Sequence, residues 1–316
     1  MNIQLRSPFL TLASLGVALL TPKAQAAPAT APKFAVLVGI TEYHQTGISK
    51  LDGCLNDVRD MKQMLISNFG LAPANILTLT NAQAKRADIV NAIRTHLRDN
   101  AKQNPEGTFL FYFSGHGSHT KDKNGDEKLN DPSDVDDETL VTYDTDLLDD
   151  DLDTLCREVR SVPNFTGSLT VISDSCHSGT NTRSASRPGE PHVRSASPDP
   201  ERIGAPLVSL VQGEKEVVGG SFVALSGCLA SQTSEEQEFT VKTTEGGKTT
   251  ERDEYHGVLT HFLLKEMANA TQTTTNDQIW TQVAGELSGQ FDQLPQLEGG
   301  RPGQRFLGGA LKDTLT

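Results

Sequence analysis

Five short apolar runs, rich in branched and aromatic side chains, set the terms for what this chain can fold into. They are "PKFAVLVGI" (32–40), "ILTLT" (76–80), "TFLFYFS" (108–114), "SLTVIS" (168–173) and "SFVALS" (221–226). Runs of this length that are apolar on both sides read as strands whose sheet is covered on both faces. Stretches of helical period lie between and after them. In "LDGCLNDVRDMKQMLISNFG" (51–70), Leu55, Val58, Met61, Met64 and Leu65 share a face and Gly70 ends the helix. In "KRADIVNAIRTHLRDNAK" (85–102), Ile89, Ile93 and Leu97 fall on one side. "VLTHFLLKEMANA" (258–270) and "NDQIWTQVAGELSGQF" (276–291) predict two later helices. Strands alternating with helices predict an α/β fold with a mostly parallel central sheet flanked by helices.

An open parallel sheet binds its ligands beyond the carboxyl ends of its strands. Two of the five runs end there in reactive side chains. The third breaks off at Ser114-Gly115-His116-Gly117, and the fourth runs into "DSCHSG", which holds out Cys176. A cysteine within reach of a histidine is an activated nucleophile: imidazole removes the thiol proton and the thiolate attacks a carbonyl. The oxyanion that forms needs donors, and the backbone N–H groups of Gly117 and Cys176 are the candidates. Taken singly, a buried cysteine is more often structural and a strand-end histidine simply polar. A zinc site from His116, His119, Cys176 and His177 has the right donor types, but it leaves the paired strand ends unexplained.

The rest of the chain narrows the compartment and the class. Its 316 residues can bury a sizeable core, and a net charge of −13 argues against a nucleic-acid binder that works by neutralising phosphates. Its four cysteines, Cys54, Cys156, Cys176 and Cys228, include no CxxC pair, against a zinc ribbon or a thioredoxin-type motif. Residues 1–26 read as a signal peptide: Arg6, the apolar "FLTLASLGVALL" (9–20), then "AQA" as a small-x-small cleavage site before Ala27. An exported protein with no membrane span follows, since no second long apolar stretch is found. Two segments interrupt the strand–helix rhythm. Residues 121–153 are dense in Asp and Glu, and 180–206 are rich in Ser, Pro, Arg and Gly without apolar period, which reads as a flexible exposed linker.

"YFSGHGS" and "DSCHSG" resemble the His and Cys motifs of metacaspases and their bacterial relatives, the orthocaspases, among the caspase-like cysteine peptidases. "LDGCLNDVRDM" resembles the family's first-helix motif, "GDEKLNDPSDVDDETLVTYD" with "LLDDDL" its acidic loop, and "SGCLASQTS" and "PQLEGGRP" segments of its smaller C-terminal region. The resemblance implies a caspase-hemoglobinase fold in which 27–179 form a larger region, 180–206 a linker, and 207–316 a smaller region completing the same domain. It implies His116 and Cys176 as a catalytic dyad. It also implies an S1 pocket, for the residue preceding the cut bond (P1), lined by Cys54, Asp57, Ser114 and Asp174. Two carboxylates in a closed pocket ask for a cation, so the expected partners are proteins or peptides with Arg or Lys at P1. Other readings of the same residues remain: an inactive caspase-like binding domain, or a legumain-like or clostripain-like peptidase with a different P1 choice.

The resemblance further suggests a calcium site at Asp137, Asp149 and Asp150, all hard oxygen donors. "DKNGDEKLNDPSD" is not an EF-hand loop, because Gly125 comes too early and Ser133 stands where a bidentate Glu is needed. Calcium-dependent family members carry a further Asp after the catalytic Cys. Here that region is "TNTR", with Arg183, so no cofactor is expected to be required. Arg183, Arg194 and Arg202 in the linker are the P1 type that the pocket should take, and they are the expected sites of self-cleavage.

Overall fold

The computed structural model describes residues 31–121, 136–176, 191–211, 219–228, 232–245 and 248–312. The expected signal peptide and Arg183 lie outside these residues. Six strands form the main sheet: β1 (Lys33–Gly39), β2 (Ile76–Thr80), β3 (Thr108–Ser114), β7 (Ser168–Asp174), β9 (Ser221–Ser226) and β12 (Gln296–Gly299). Their order is β12-β9-β7-β3-β1-β2, parallel throughout except for β12 at the edge. The five apolar runs are the five parallel strands.

Alternation along the central strands divides the core. Ala35 and Leu37 of β1 face Val58, Met61 and Leu65 of α1 (Cys54–Phe69), together with residues of α5 (Val258–Asn269) and α6 (Asn276–Leu287). Val36 and Val38, with Phe109, Phe111 and Phe113 of β3, face α2 (Arg86–Ala92) and α4 (Asp149–Arg160). The helix predicted over 85–102 is divided, because a π turn at Ile93–Arg98 separates α2 from α3 (Asp99–Gln103). α1 ends as its sequence implies, with Gly70 in the left-handed conformation at φ 69°. Among the described residues, no helix is long and apolar enough to cross a membrane.

Two small sheets flank the carboxyl end of the main one. One is β4 (Gly117–Lys121), β5 (Asp136–Val141) and β6 (Asp146–Leu148); the other is β8 (His192–Val193), β10 (Glu235–Glu245) and β11 (Lys248–Gly257). The described end of the acidic stretch is therefore built into strands and the start of a helix. Asp149, Asp150 and Asp151 occupy the first turn of α4, where the helix dipole favours negative charge.

The described half of the linker differs from the exposed segment that its composition suggests. Residues 192–193 pair as a strand with β10, and Arg194 is completely buried. The reason lies outside the segment. Its backbone hydrogen bonds and its one buried cation are matched by distant strands, so it needs no apolar period of its own.

Candidate active site

The register of the main sheet sets Gly39 level with Ser114, and Ser114 level with Asp174. Whatever follows β3 and β7 is thereby delivered to one rim. After β3, His116 is fully buried. Its backbone N–H donates to the Tyr43 hydroxyl (2.8 Å), and its ring lies tilted against Tyr43 at 5.2 Å between centroids. Nε2 sits 2.9 Å from the Ser49 carbonyl oxygen, which can only accept, so Nε2 carries the proton. Nδ1 keeps its lone pair and makes no well-formed hydrogen bond among the described residues, while the Arg194 backbone beside the ring favours its protonated form. Burial is the main reason that the imidazole pKa is lowered to about 4.

After β7 comes Cys176, also fully buried. Its thiol donates to the Gln232 carbonyl oxygen at 3.0 Å. No disulfide involves any of the four cysteines.

The residue that fills this rim is Arg194. Its carbonyl oxygen accepts from the backbone N–H of Gly117 at 2.9 Å and from that of Cys176 at 3.1 Å. These are the two donors expected to hold an oxyanion. The Arg194 N–H donates to the Ser234 carbonyl (2.8 Å), and on the far side of the Arg194–Ser195 bond the Ala196 N–H donates to the Gly117 carbonyl (2.8 Å). The chain thus crosses the reactive rim in extended form, hydrogen-bonded before and after one peptide bond.

The Arg194 side chain runs inward to a set of carboxylates. Nη2 lies 2.7 Å from Asp57 Oδ2 and 3.2 Å from Glu236 Oε2; Nη1 lies 2.9 Å from Ser114 Oγ and 3.4 Å from Asp174 Oδ2. Arg194, Asp57, Asp174 and Glu236 are all fully buried. Burial by itself would raise the Asp57 pKa; Arg194 and then His256 outweigh it and hold the carboxyl below its ordinary value. Cys54 closes the pocket as a neutral thiol, its pKa pushed up chiefly by burial. The oxygens that Arg194 uses are themselves fixed. Asp57 accepts from Ser114 Oγ (2.8 Å) and from His256 Nδ1 (3.0 Å), and Asp174 accepts from Ser234 Oγ (2.9 Å) and from the Oγ1 and backbone N–H of Thr260 (2.6 and 2.9 Å). Gly257 is required where it stands: a Cβ there would fall on Asp174 Oδ2 and the Arg194 guanidinium.

His116, Cys176, Gly117, Cys54, Asp57, Ser114 and Asp174 therefore meet at one rim, with Arg194 among them. Arg202 lies elsewhere, paired with Asp146 at 3.2 Å and bonded to Ser118 Oγ at 3.0 Å. Among the described residues, Asp137, Asp149 and Asp150 do not converge into a shell of metal ligands. Four contributors were not read from the sequence: Ser234, Glu236, His256 and Thr260. They come from the β10–β11 hairpin and the start of α5, where the polar run "TSEEQEF" has no apolar alternation to announce a strand.

A family model described as the caspase domain matches residues 32–307. Among curated relatives, metacaspase-1 of Ajellomyces capsulatus is 35% identical over 161 residues, covering 48% of this chain and 41% of that protein. Metacaspase-1A of Aspergillus niger is 34% identical over 157 residues, covering 48% of this chain and 36% of that protein. The chain thus spans less than half the length of these relatives. A solved protein of Geobacter sulfurreducens superposes with a TM-score of 0.58 at 23% identity, covering 88% of this chain and 99% of that one. This last likeness is one of fold.

Proposed function

This chain belongs to the caspase-domain family as a metacaspase-like cysteine peptidase, and from that premise we propose that it is an exported endopeptidase that cuts after Arg or Lys and first cuts itself between Arg194 and Ser195. One observation carries the reading: the Arg194 carbonyl oxygen sits on the Gly117 and Cys176 N–H groups while its guanidinium lies among Asp57, Asp174 and Glu236. A substrate whose bond is about to break would be held in this way.

In the mechanism, the Cys176 thiol turns from the Gln232 carbonyl and gives its proton to His116 Nδ1. The Ser49 carbonyl holds the ring in the tautomer that can accept it. The thiolate adds to the Arg194 carbonyl carbon, and negative charge gathers on the oxygen already bonded to two N–H groups. Collapse breaks the C–N bond, and the imidazolium protonates the departing Ser195 amine. Water then hydrolyses the thioester, with His116 again as base.

Purified protein should separate into fragments 27–194 and 195–316, assuming the leader is removed, with Ser195 as the new N-terminus. Intact-mass measurement reads this directly. A whole chain that still hydrolyses arginyl peptides would remove self-cleavage from the mechanism, and a whole chain with no peptidase activity would favour a caspase-like binding domain.

Acid sensitivity follows from His116. The buried imidazole has its pKa lowered to about 4, so with the segment seated it remains a base until pH falls through that value. Self-cleavage should keep its rate from neutral pH to about pH 5 and fall below it, well under the ordinary histidine midpoint of about 6.5. An acid limb near pH 6.5 would mean that His116 is solvated when it acts.

Calcium should matter little, because the region after Cys176 where calcium-dependent members of the family carry a further Asp holds Arg183. Cleavage in chelator should match cleavage in about millimolar calcium, the range of weak calcium modules. A large saturable rise with calcium, lost in Asp149→Ala, would overturn this.

A further inference from the structure

We infer that the cleft has a second specificity site, for the third residue before the cut bond (P3), and that it selects a flat cationic side chain, so that the preferred substrates carry an Arg-x-Arg or His-x-Arg pattern. The inference rests on the endopeptidase reading above. The occupant of this position is His192. It pairs across the strands with Glu236, and its ring stacks on Tyr255 of β11 with centroids 5.3 Å apart and planes at 24°. Its Nδ1 lies 3.2 Å from Glu236 Oε1 and 3.7 Å from Asp52 Oδ2.

An aromatic face beside two carboxylates is a seat for a planar cation, because the ring attracts the charge and the oxygens take its N–H groups. Glu236 serves both sites. Oε2 faces Arg194 and accepts from the Gly53 N–H (3.1 Å); Oε1 faces His192 and accepts from the Asp52 N–H (2.7 Å). One fully buried carboxylate thus reads two side chains of the bound peptide, which ties recognition of the second to that of the first. Asp52, His192 and Glu236 lie close enough to ligate a metal, but both Glu236 oxygens are already committed to backbone donors and to Arg194.

The test uses self-processed protein and fluorogenic tetrapeptides with Arg at P1 and Arg, His, Ala or Glu at P3, beside one set with Leu at P1. We expect kcat/KM to fall in the order Arg, His, Ala, Glu, with about tenfold between Arg and Glu, the scale of one desolvated cation–π or charge contact. Tyr255→Ala and Asp52→Asn should each flatten the P3 series while keeping the preference for Arg over Leu at P1. Indifference to P3 with P1 selection intact overturns this inference alone. Indifference to P1 as well overturns the parent reading.

A different observation carries a second inference. Cys176 and Cys228 each follow by two residues the end of neighbouring parallel strands, β7 and β9, and both thiols donate to the same Gln232 carbonyl oxygen, at 3.0 and 3.5 Å. The bond cleavage derived above makes no use of Cys228. The geometry points to Cys228 as the resolving thiol that captures Cys176 once a peroxide has oxidised it. The Cys176 thiolate attacks the peroxide O–O bond, giving a sulfenic acid and hydroxide. Cys228 sulfur then attacks the sulfenic sulfur, an S–S bond forms, and the oxygen leaves as water with the Cys228 proton. Two thiols supply the two electrons that reduce the peroxide. The Cys228 thiol pKa is raised first by its hydrogen bond with Cys176, which is a mark of how close the two sulfurs lie.

Hydrogen peroxide added to self-processed wild type should abolish peptidase activity and yield a digest peptide joining Cys176 to Cys228, and dithiothreitol should restore activity. Cys228→Ser should keep its activity before peroxide, form no such peptide, and lose thiol-reversibility as Cys176 advances to sulfinic acid. Wild type that gains oxygen without forming the joined peptide, or recovery in Cys228→Ser equal to that of wild type, overturns the assignment.

Discussion

Cys176→Ala should leave the chain whole and reduce hydrolysis of arginyl peptides by at least about a thousandfold, the scale of losing a covalent nucleophile. Cys54 and Cys228, the other thiols near the rim, both have their pKa values raised, which makes them poor nucleophiles in its place. The backbone N–H groups that hold the Arg194 carbonyl survive the substitution, and His116 would have no thiol proton to take. Losing one sulfur opens little space, so thermal unfolding should shift slightly at most. Intact mass and a peptide assay read the result together. Cleavage at Arg194 that persists in purified Cys176→Ala would assign the cut to a contaminating protease.

The second large effect belongs to Asp57. Asp57→Asn keeps the shape of the side chain and its hydrogen bond from Ser114, but removes the carboxylate that lies nearest the Arg194 guanidinium. A buried guanidinium that loses its closest counter-charge costs a few kcal/mol, so kcat/KM for Arg at P1 should fall about a hundredfold relative to a neutral P1 residue. Cutting at Arg194 should slow in parallel. Asp174 lies farther from the guanidinium, at 3.4 Å, and is tied to Ser234 and Thr260, so Asp174→Asn should disturb the pocket's walls as well as its charge. Equal losses for arginyl and neutral substrates in Asp57→Asn would mean that the residue supports the rim's structure and not the choice of P1.

The strands and the residues at their tips were legible because both are local signals. Each parallel strand is a covered apolar run, and His116, Cys176, Ser114 and Asp174 sit on or just past strand ends that the parallel topology makes coincide. Asp57 was legible through the motif around it. Glu236 and His256 were not, because they lie on a hairpin whose strands are polar along their length and whose partners stand 40 to 200 residues away in the chain. Residues 192–196 were misread for a related reason. A segment that adds itself to an existing edge, and is held by main-chain bonds and a single cation, needs no hydrophobic pattern. Composition then misreads the few residues that bind.

That Arg194 reaches the rim from the same polypeptide makes the proposed self-cleavage a first-order process. A tethered substrate meets the thiol at an effective concentration set by the tether, of order millimolar or higher for short tethers, and no second molecule is involved. The half-time of conversion should then be the same in a dilute solution as in a concentrated one. A foreign peptide present during that interval would compete against this tethered rival, so the uncut chain should be latent toward other proteins in proportion to how firmly it grips itself. Each molecule should then keep its own clock, and crowding many together should neither hasten nor synchronise their release.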